Sequence, residues 1–192
     1  MKNWGFLTVI ENQRFGLIGG YLVLNHLGRP LEFHCTTPVR ANRAQEILYG
    51  TTLNAFLYGE QIAQTLIKRA KVKPYSVLTD CAQVLTAQEF VEMPICSIHR
   101  ESPVSEQNLT VYASEKNDSS SENQSGVDFI PCFSTFRWSE HIIGRYKLAL
   151  PERVAGTSTE TIDELKNVSS AIDFLEPFER IRLAIEEAQK AA

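Results

Sequence analysis

The chain has 192 residues, 43% of them hydrophobic and 22% charged, which is enough for one globular domain with a full hydrophobic core. A net charge of −4 and a pI near 5.6 argue against a general nucleic-acid binder, because such proteins carry a basic face that attracts phosphates. No stretch holds the roughly 20 apolar residues of a membrane span, and the first residues lack the pattern of a secretory signal.

The cysteines predict a reducing compartment. They are scattered along a chain that shows no export signal and is too large to need disulfides, so we expect free thiols and a cytoplasmic protein. The sequence does not determine whether their side chains lie close enough to bind a metal. The four positions are Cys35, Cys81, Cys96 and Cys132.

A β-ribbon is predicted in the first part of the chain. An apolar run at 17–24, turn residues at 25–30 and an alternating run at 31–35 predict two paired strands. The Gly19-Gly20 pair inside the first run predicts either a bulge that bends the sheet or the close approach of a ligand or partner backbone.

Helical periodicity follows the ribbon. Apolar residues recur every three or four positions across 41–71, with a break near Gly50. A long hairpin is predicted at 108–137, and its tip at 115–126 has no hydrophobic residue, which is typical of a flexible loop. Further strands are predicted at 6–10, 75–79, 94–99, 109–113, 127–130, 132–138 and 145–150.

These elements predict an α+β fold. Residues 1–150 form a core domain with a mainly antiparallel sheet of about five or six strands, covered on one face by the helices at 41–71. Residues 151–192 form a helical extension that packs on the core or on a partner. Its last helix has apolar residues at alternating spacings of four and three, which predicts an interface. That seam consists of Phe174, Phe178, Ile181, Ile185 and Ala188.

No segment carries a strong catalytic signature. His34 and Cys35 are neighbours on a predicted strand, so their side chains point to opposite faces, and we expect Cys35 in the core. Asp80 follows a short strand and is expected to cap the next helical segment, with a catalytic acid as the alternative. Cys96 and His99 are three residues apart, but no two cysteines have the spacing of a structural zinc site. No metal or cofactor is therefore predicted.

Polar residues cluster where the ribbon enters the first helix. The N–H groups of a helix N-terminus attract anions, and two arginines stand beside them. The alternative is that Thr37 only caps the helix and that the arginines are solvated or pair with Glu46. This corner is predicted to bind a carboxylate or a phosphate through Thr37, Arg40, Asn42, Arg43 and Gln45, with His34 across the hairpin.

Three functions remain open. The first is a non-catalytic interaction or accessory subunit of a cytoplasmic assembly, in which a protein partner or a second copy contacts the C-terminal helix. The second is an enzyme or ligand-binding domain that uses the corner at 37–45. The third, a nucleic-acid-associated protein, is disfavoured by the acidic charge.

Overall fold

The computed structural model describes residues 2–100, 137–152, 157–169 and 173–190. The strands in these ranges form one mixed sheet. Their bounds are β1 (Trp4–Asn12), β2 (Gly16–Leu24), β3 (Pro30–Cys35), β4 (Ser76–Thr79), β5 (Ile95–Arg100), β6 (Trp138–Ile143) and β7 (Tyr146–Pro151). The sheet order is β3-β2-β1-β4-β5-β7-β6.

The helices fall into two groups along the chain. Between β3 and β5 lie α1 (Arg43–Tyr49), a 3₁₀ turn (Gly50–Thr52), a π-helix (Ala55–Gln64), α2 (Thr65–Arg69) and a 3₁₀ helix (Ala82–Phe90). After β7 come α3 (Thr157–Ser169) and α4 (Glu176–Lys190). The predicted break at Gly50 is confirmed, and the helical stretch that follows it is largely π-helical rather than α-helical.

Turn chemistry explains the ribbon formed by β1, β2 and β3. The side chain of Asn12 accepts a hydrogen bond from the N–H of Arg14 at 2.9 Å in the first turn. The side chain of Asn25 accepts one from Leu27 at 2.9 Å in the second, where Gly28 takes a positive φ of 73°. Asparagine and glycine are typical of such turns because they satisfy local N–H groups and tolerate left-handed backbone.

The predicted α+β class is confirmed, but the sheet formed by the described residues has seven strands and is mixed. The pairs β1–β4 and β4–β5 are parallel, and the other neighbouring pairs are antiparallel. The parallel centre arises because the helices between β3 and β4 carry the chain across the sheet. A hairpin needs only a turn, whereas a parallel neighbour needs such a long crossover.

Both faces of the sheet are covered: the helices at 41–71 cover one face, as predicted, and the C-terminal helices cover the other. The π-helix, α2 and the 3₁₀ helix pack on one face, against Leu7, Tyr21 and Val77. Helices α3 and α4 pack on the other, against Phe6 and Leu78. We call these the π-helix face and the α4 face. Eight of the nine residues of β2 are buried, as expected for a strand with helices on both sides.

The Gly19-Gly20 pair lies in regular strand, and the predicted bulge is wrong at this position. Gly19 pairs with Val9 of β1 without a change of register. The irregularity of β2 lies instead opposite β3, between Val23 and Leu24.

Close approach of helices explains both glycines. A Cβ atom on Gly19 would overlap the π-helix and lie 3.0 Å from the Cδ1 atom of Leu66, on the π-helix face. A Cβ atom on Gly20 would overlap α4 and lie 2.8 Å from the Cδ1 atom of Ile185, on the α4 face. The close approach thus comes from side chains of the chain's own helices, and not from the ligand or partner backbone of the predicted alternative.

The predictions for the second half of the chain are tested in part. The final predicted strand, at 145–150, is confirmed as β7, and the strand at 94–99 as β5. The edge strand β6 begins at Trp138, where the predicted strand at 132–138 ends, so the strand at 138–143 was missed by the sequence; residues 132–136 lie outside the described ranges. The strands at 109–113 and 127–130 and the loop at 115–126 lie outside the described residues, as does Cys132.

Candidate functional site

The polar groups at the start of α1 are engaged with each other. Asn42 caps the helix: its side-chain oxygen accepts the N–H of Gln45 at 2.9 Å, and its own N–H donates to the Gln45 side chain at 3.0 Å. Thr37 is exposed and does not cap the helix, which corrects the alternative prediction. This reciprocal capping box satisfies N–H groups that an anion would otherwise bind.

The two arginines of the corner have different surroundings. Arg43 pairs with Glu46 at 2.9 Å, on the exposed surface. Arg40 is exposed and has no ion pair within the described ranges, and its side chain lies along Gly16. Gly16 has a φ of 101°, and a Cβ atom there would lie 3.2 Å from the Nε atom of Arg40. Arg40 is therefore held beside the end of β2 with its charge available.

His34 lies on the π-helix face, where it contacts Glu32. The His34 Nε2 atom is 2.6 Å from Glu32 Oε1. Glu32 also accepts the backbone N–H groups of Lys71 and Val72 at 3.0 and 2.9 Å. The N–H groups of Val72 and Lys71, followed by His34, lower the pKa of Glu32 to about 2. The structure thus uses His34 and Glu32 to hold the end of α2, away from Arg40.

A groove on the α4 face brings two predicted sites together. It has a volume of about 530 Å³ and lies between the 35–38 corner and the C-terminal end of α4. Thr37, from the predicted anion corner, lines one wall, and Ile185 and Ala188, from the predicted seam, line the other. Most of its remaining lining is apolar and includes Phe15 and Ile18.

Edge strand β3 continues this groove as an exposed apolar strip. Leu31 and Phe33 are 46% and 38% exposed, and Cys35 is exposed as well. Phe33 lies on the α4 face because it pairs with Leu22, which faces α4. Cys35 was expected in the core; it is exposed because α4 packs on β1 and β2. We call Leu31, Phe33 and Cys35, together with the groove, the β3–α4 surface.

The predicted seam of α4 is buried inside this chain, except for Ala188. Phe178 packs edge-to-face on Phe6 of β1, with ring centres 5.7 Å apart. The helix therefore packs on the core, one of the two predicted alternatives, and of the buried seam residues only Ile185 borders the groove. The buried residues are Phe174, Phe178, Ile181 and Ile185, at most 2% exposed.

Asp80 pairs with Arg182 of α4 and does not cap the following helix, whose N-cap is Cys81. The Asp80 side chain is 15% exposed, and its second oxygen has no hydrogen-bond partner among the described residues. Arg182 also binds Glu179 at 2.9 Å. Because it joins α4 to the end of β4, Asp80 serves to hold the helix on the sheet.

The cysteines of the described residues are dispersed. Cys96 is fully buried on the α4 face, and burial raises the pKa of its thiol to about 12. Burial also raises the pKa of Cys81 to about 11, whereas Cys35 is exposed. In the part of the chain that the structure describes, no three His, Cys, Asp or Glu side chains lie close enough to hold a metal ion.

Comparison with protein-family models and with curated proteins found no match for this chain. No helix in ranges 2–100, 137–152, 157–169 and 173–190 is long and apolar enough to cross a membrane. Function must therefore be inferred from the chain's own surface chemistry, and the β3–α4 surface joins an exposed apolar strip to a groove.

Proposed function

We propose that this chain is a non-catalytic interaction or accessory subunit of a cytoplasmic protein assembly, and that it binds its partner through the β3–α4 surface. The observation that supports this proposal is the exposed apolar strip on β3 beside an apolar groove. Edge strands of soluble proteins are usually protected by charges or by covering segments, because open edges pair with other chains. Edge strand β3 instead exposes the apolar side chains of Leu31 and Phe33, and an exposed apolar patch of this kind is typical of a binding site.

Two described acidic side chains that could serve a catalytic site are used to hold the fold together. Asp80 pairs with Arg182, and Glu32 binds backbone N–H groups and His34. These contacts favour a binding protein over an enzyme, since a general acid or base needs a group that is free to exchange protons with a substrate.

The experiment is to purify the tagged full chain from its host and to measure which proteins remain bound in fixed stoichiometry. The double variant Leu31→Ser/Phe33→Ser should lose the partner while keeping its circular dichroism spectrum, because both side chains are exposed in the free chain. Ile47→Ser/Leu48→Ser is the matched control on α1, where the two side chains are 67% and 82% exposed. Loss of the partner in the control alone, or in neither variant, refutes the proposed surface.

The second candidate function is a ligand-binding domain at 37–45. One feature favours it: Thr37 lines the groove and the nearby Arg40 has no ion pair in the described ranges. Calorimetric titration of the full chain with inorganic phosphate and with acetate tests it. Arg40→Ala should abolish binding and Arg43→Ala should leave it intact, and a wild-type protein that binds neither anion rules this function out.

A further inference from the structure

Exposed arginines stand at both ends of the β3–α4 surface, although the chain carries a net charge of −4. Arg29 directly precedes β3. At the groove end, the Arg14 guanidinium lies 5.3 Å from the centre of the Phe15 ring, and Arg40 lies along Gly16. None of these arginines has an ion pair within the residues that the structure describes. Their charge is available to an acidic ligand, with which arginine forms strong charge-assisted hydrogen bonds.

The outer side of β3 is open to an additional strand. It is the last strand of the sheet, and no described segment pairs with its outer side. Phe33, Cys35 and Thr37 recur at every second position and lead along this edge into the groove. A peptide added as a strand has the same two-residue repeat, so every second side chain would follow this row.

The opposite face of β3 is closed to such a peptide. Glu32 binds the N–H groups of Lys71 and Val72 there, and His34 lies beside it. An added strand would therefore meet apolar surface on one of its faces only. Its other side chains would point to the face that carries the ionised Glu32 carboxylate, so the acidic residues that meet the arginines are those that flank the strand at its two ends.

We propose that the β3–α4 surface binds an extended segment of a partner protein, added as a strand beside β3, in which every second residue is apolar and acidic residues flank both ends. This proposal depends on the function proposed above and specifies the class of partner. The apolar side chains enter the groove of about 530 Å³, and the acidic ones meet Arg14 and Arg40 at one end and Arg29 at the other. The shape fits an extended segment because the apolar strip continues along the strand beyond the groove.

The test is to pan phage-displayed random peptides on the immobilised full chain and to measure the selected peptides by fluorescence polarisation. We expect sequences in which every second residue is apolar and Asp or Glu flanks the apolar run at both ends. Arg14→Glu/Arg40→Glu should weaken binding about tenfold or more, and added salt should weaken binding to the wild-type chain. Arg137→Glu, an exposed arginine that precedes β6 at the opposite edge of the sheet, is the matched control and should leave binding unchanged.

Backbone methylation of a selected peptide tests the added strand. Only one of the two alternating sets of peptide N–H groups can face β3. N-methylation of that set should abolish binding, and N-methylation of the other set should preserve it. Equal effects of the two sets overturn strand addition. If the chain selects no peptide but binds dodecanoate saturably, the groove holds a small apolar ligand, and strand addition is overturned as well.

The outcomes separate this proposal from the proposed function. If the selected peptides bind through Leu31 and Phe33 but are basic or uncharged, the interaction surface stands and the acidic partner is overturned. If Leu31→Ser/Phe33→Ser leaves peptide binding unchanged, both proposals fail. If the wild-type chain dimerises in solution and Leu31→Ser/Phe33→Ser makes it monomeric, a second copy of the chain occupies the surface. The proposal of an acidic segment is then overturned.

Discussion

Gly19→Ala and Gly20→Ala are expected to destabilise the protein from opposite faces of the sheet. A Cβ atom on Gly19 would overlap Ile62 of the π-helix, and one on Gly20 would overlap Ile181 of α4. Both isoleucines are fully buried, so neither side chain has free space to move into. A methyl group forced into a packed core costs about 1–3 kcal/mol, and the lower entropy of the unfolded chain offsets about 0.4–1 kcal/mol of this.

The net loss should be about 1–2 kcal/mol for each glycine variant. For a chain of this length, that corresponds to a fall in Tm of about 2–8 °C. The assay is urea unfolding at equilibrium, followed by circular dichroism and by tryptophan fluorescence, which gives the free energy of unfolding for each variant.

Double variants test which helix each glycine contacts. Ile62→Ala and Ile181→Ala each leave a cavity and should cost about 2–5 kcal/mol alone. In the Ile62→Ala background, Gly19→Ala should cost about 1 kcal/mol less than in the wild type, because the added methyl group enters the cavity. Gly20→Ala should show the same coupling with Ile181→Ala.

The crossed pairs are the matched controls. Gly19→Ala with Ile181→Ala joins sites on opposite faces, as does Gly20→Ala with Ile62→Ala, and their free-energy changes should add to within about 0.5 kcal/mol. Crossed pairs that couple as strongly as matched pairs would contradict the packing of β2 between two helices. Glycine variants with the same urea midpoint of unfolding as the wild type would also contradict this packing.

Three further changes test the contacts that hold the helices. Phe178→Glu should lower the free energy of unfolding by several kcal/mol, about 3 or more, without changing the native mass in light scattering; a change of mass alone would place the seam at a partner. Asp80→Asn should cost about 1–3 kcal/mol because it removes the charge of the mostly buried partner of Arg182. Glu179→Gln removes the charge of the exposed partner and should cost less than about 1 kcal/mol; equal losses in urea unfolding would contradict this difference. Glu32 stabilises the fold above its ordinary pKa of 4.5, and this contribution is lost as the pH falls towards about 2; Glu32→Gln should therefore show a shallower loss of stability over that range, and parallel pH profiles would count against the contact.

Sequence patterns identified the residues of the candidate site, but they did not predict that these residues lie close together. Thr37 was assigned to an anion corner and Ala188 to an interface, each from its neighbours in the chain. The groove that contains both depends on where α4 crosses the sheet. No local pattern encodes that position, because it results from packing between residues far apart in the sequence.

Exposure at the edge strand was likewise beyond the sequence. The alternation of Phe33 and Cys35 with Glu32 shows which residues share a face of β3, and the structure confirms that grouping. The alternation in the sequence does not show whether a helix covers that face. Cys35 is exposed because α4 packs on β1 and β2, and the same alternating pattern would occur under a helix.

The amino-acid sequence by itself determined the local elements: the ribbon with its Asn12 and Asn25 turns, the break at Gly50 and the final strand. These depend on backbone preferences and hydrogen bonds within a few residues. Tertiary structure decided the parallel centre of the sheet, the covering of both faces and the reason for Gly19-Gly20. Each of these depends on which distant element packs against a given surface. That arrangement is the one that minimises the free energy of the whole core.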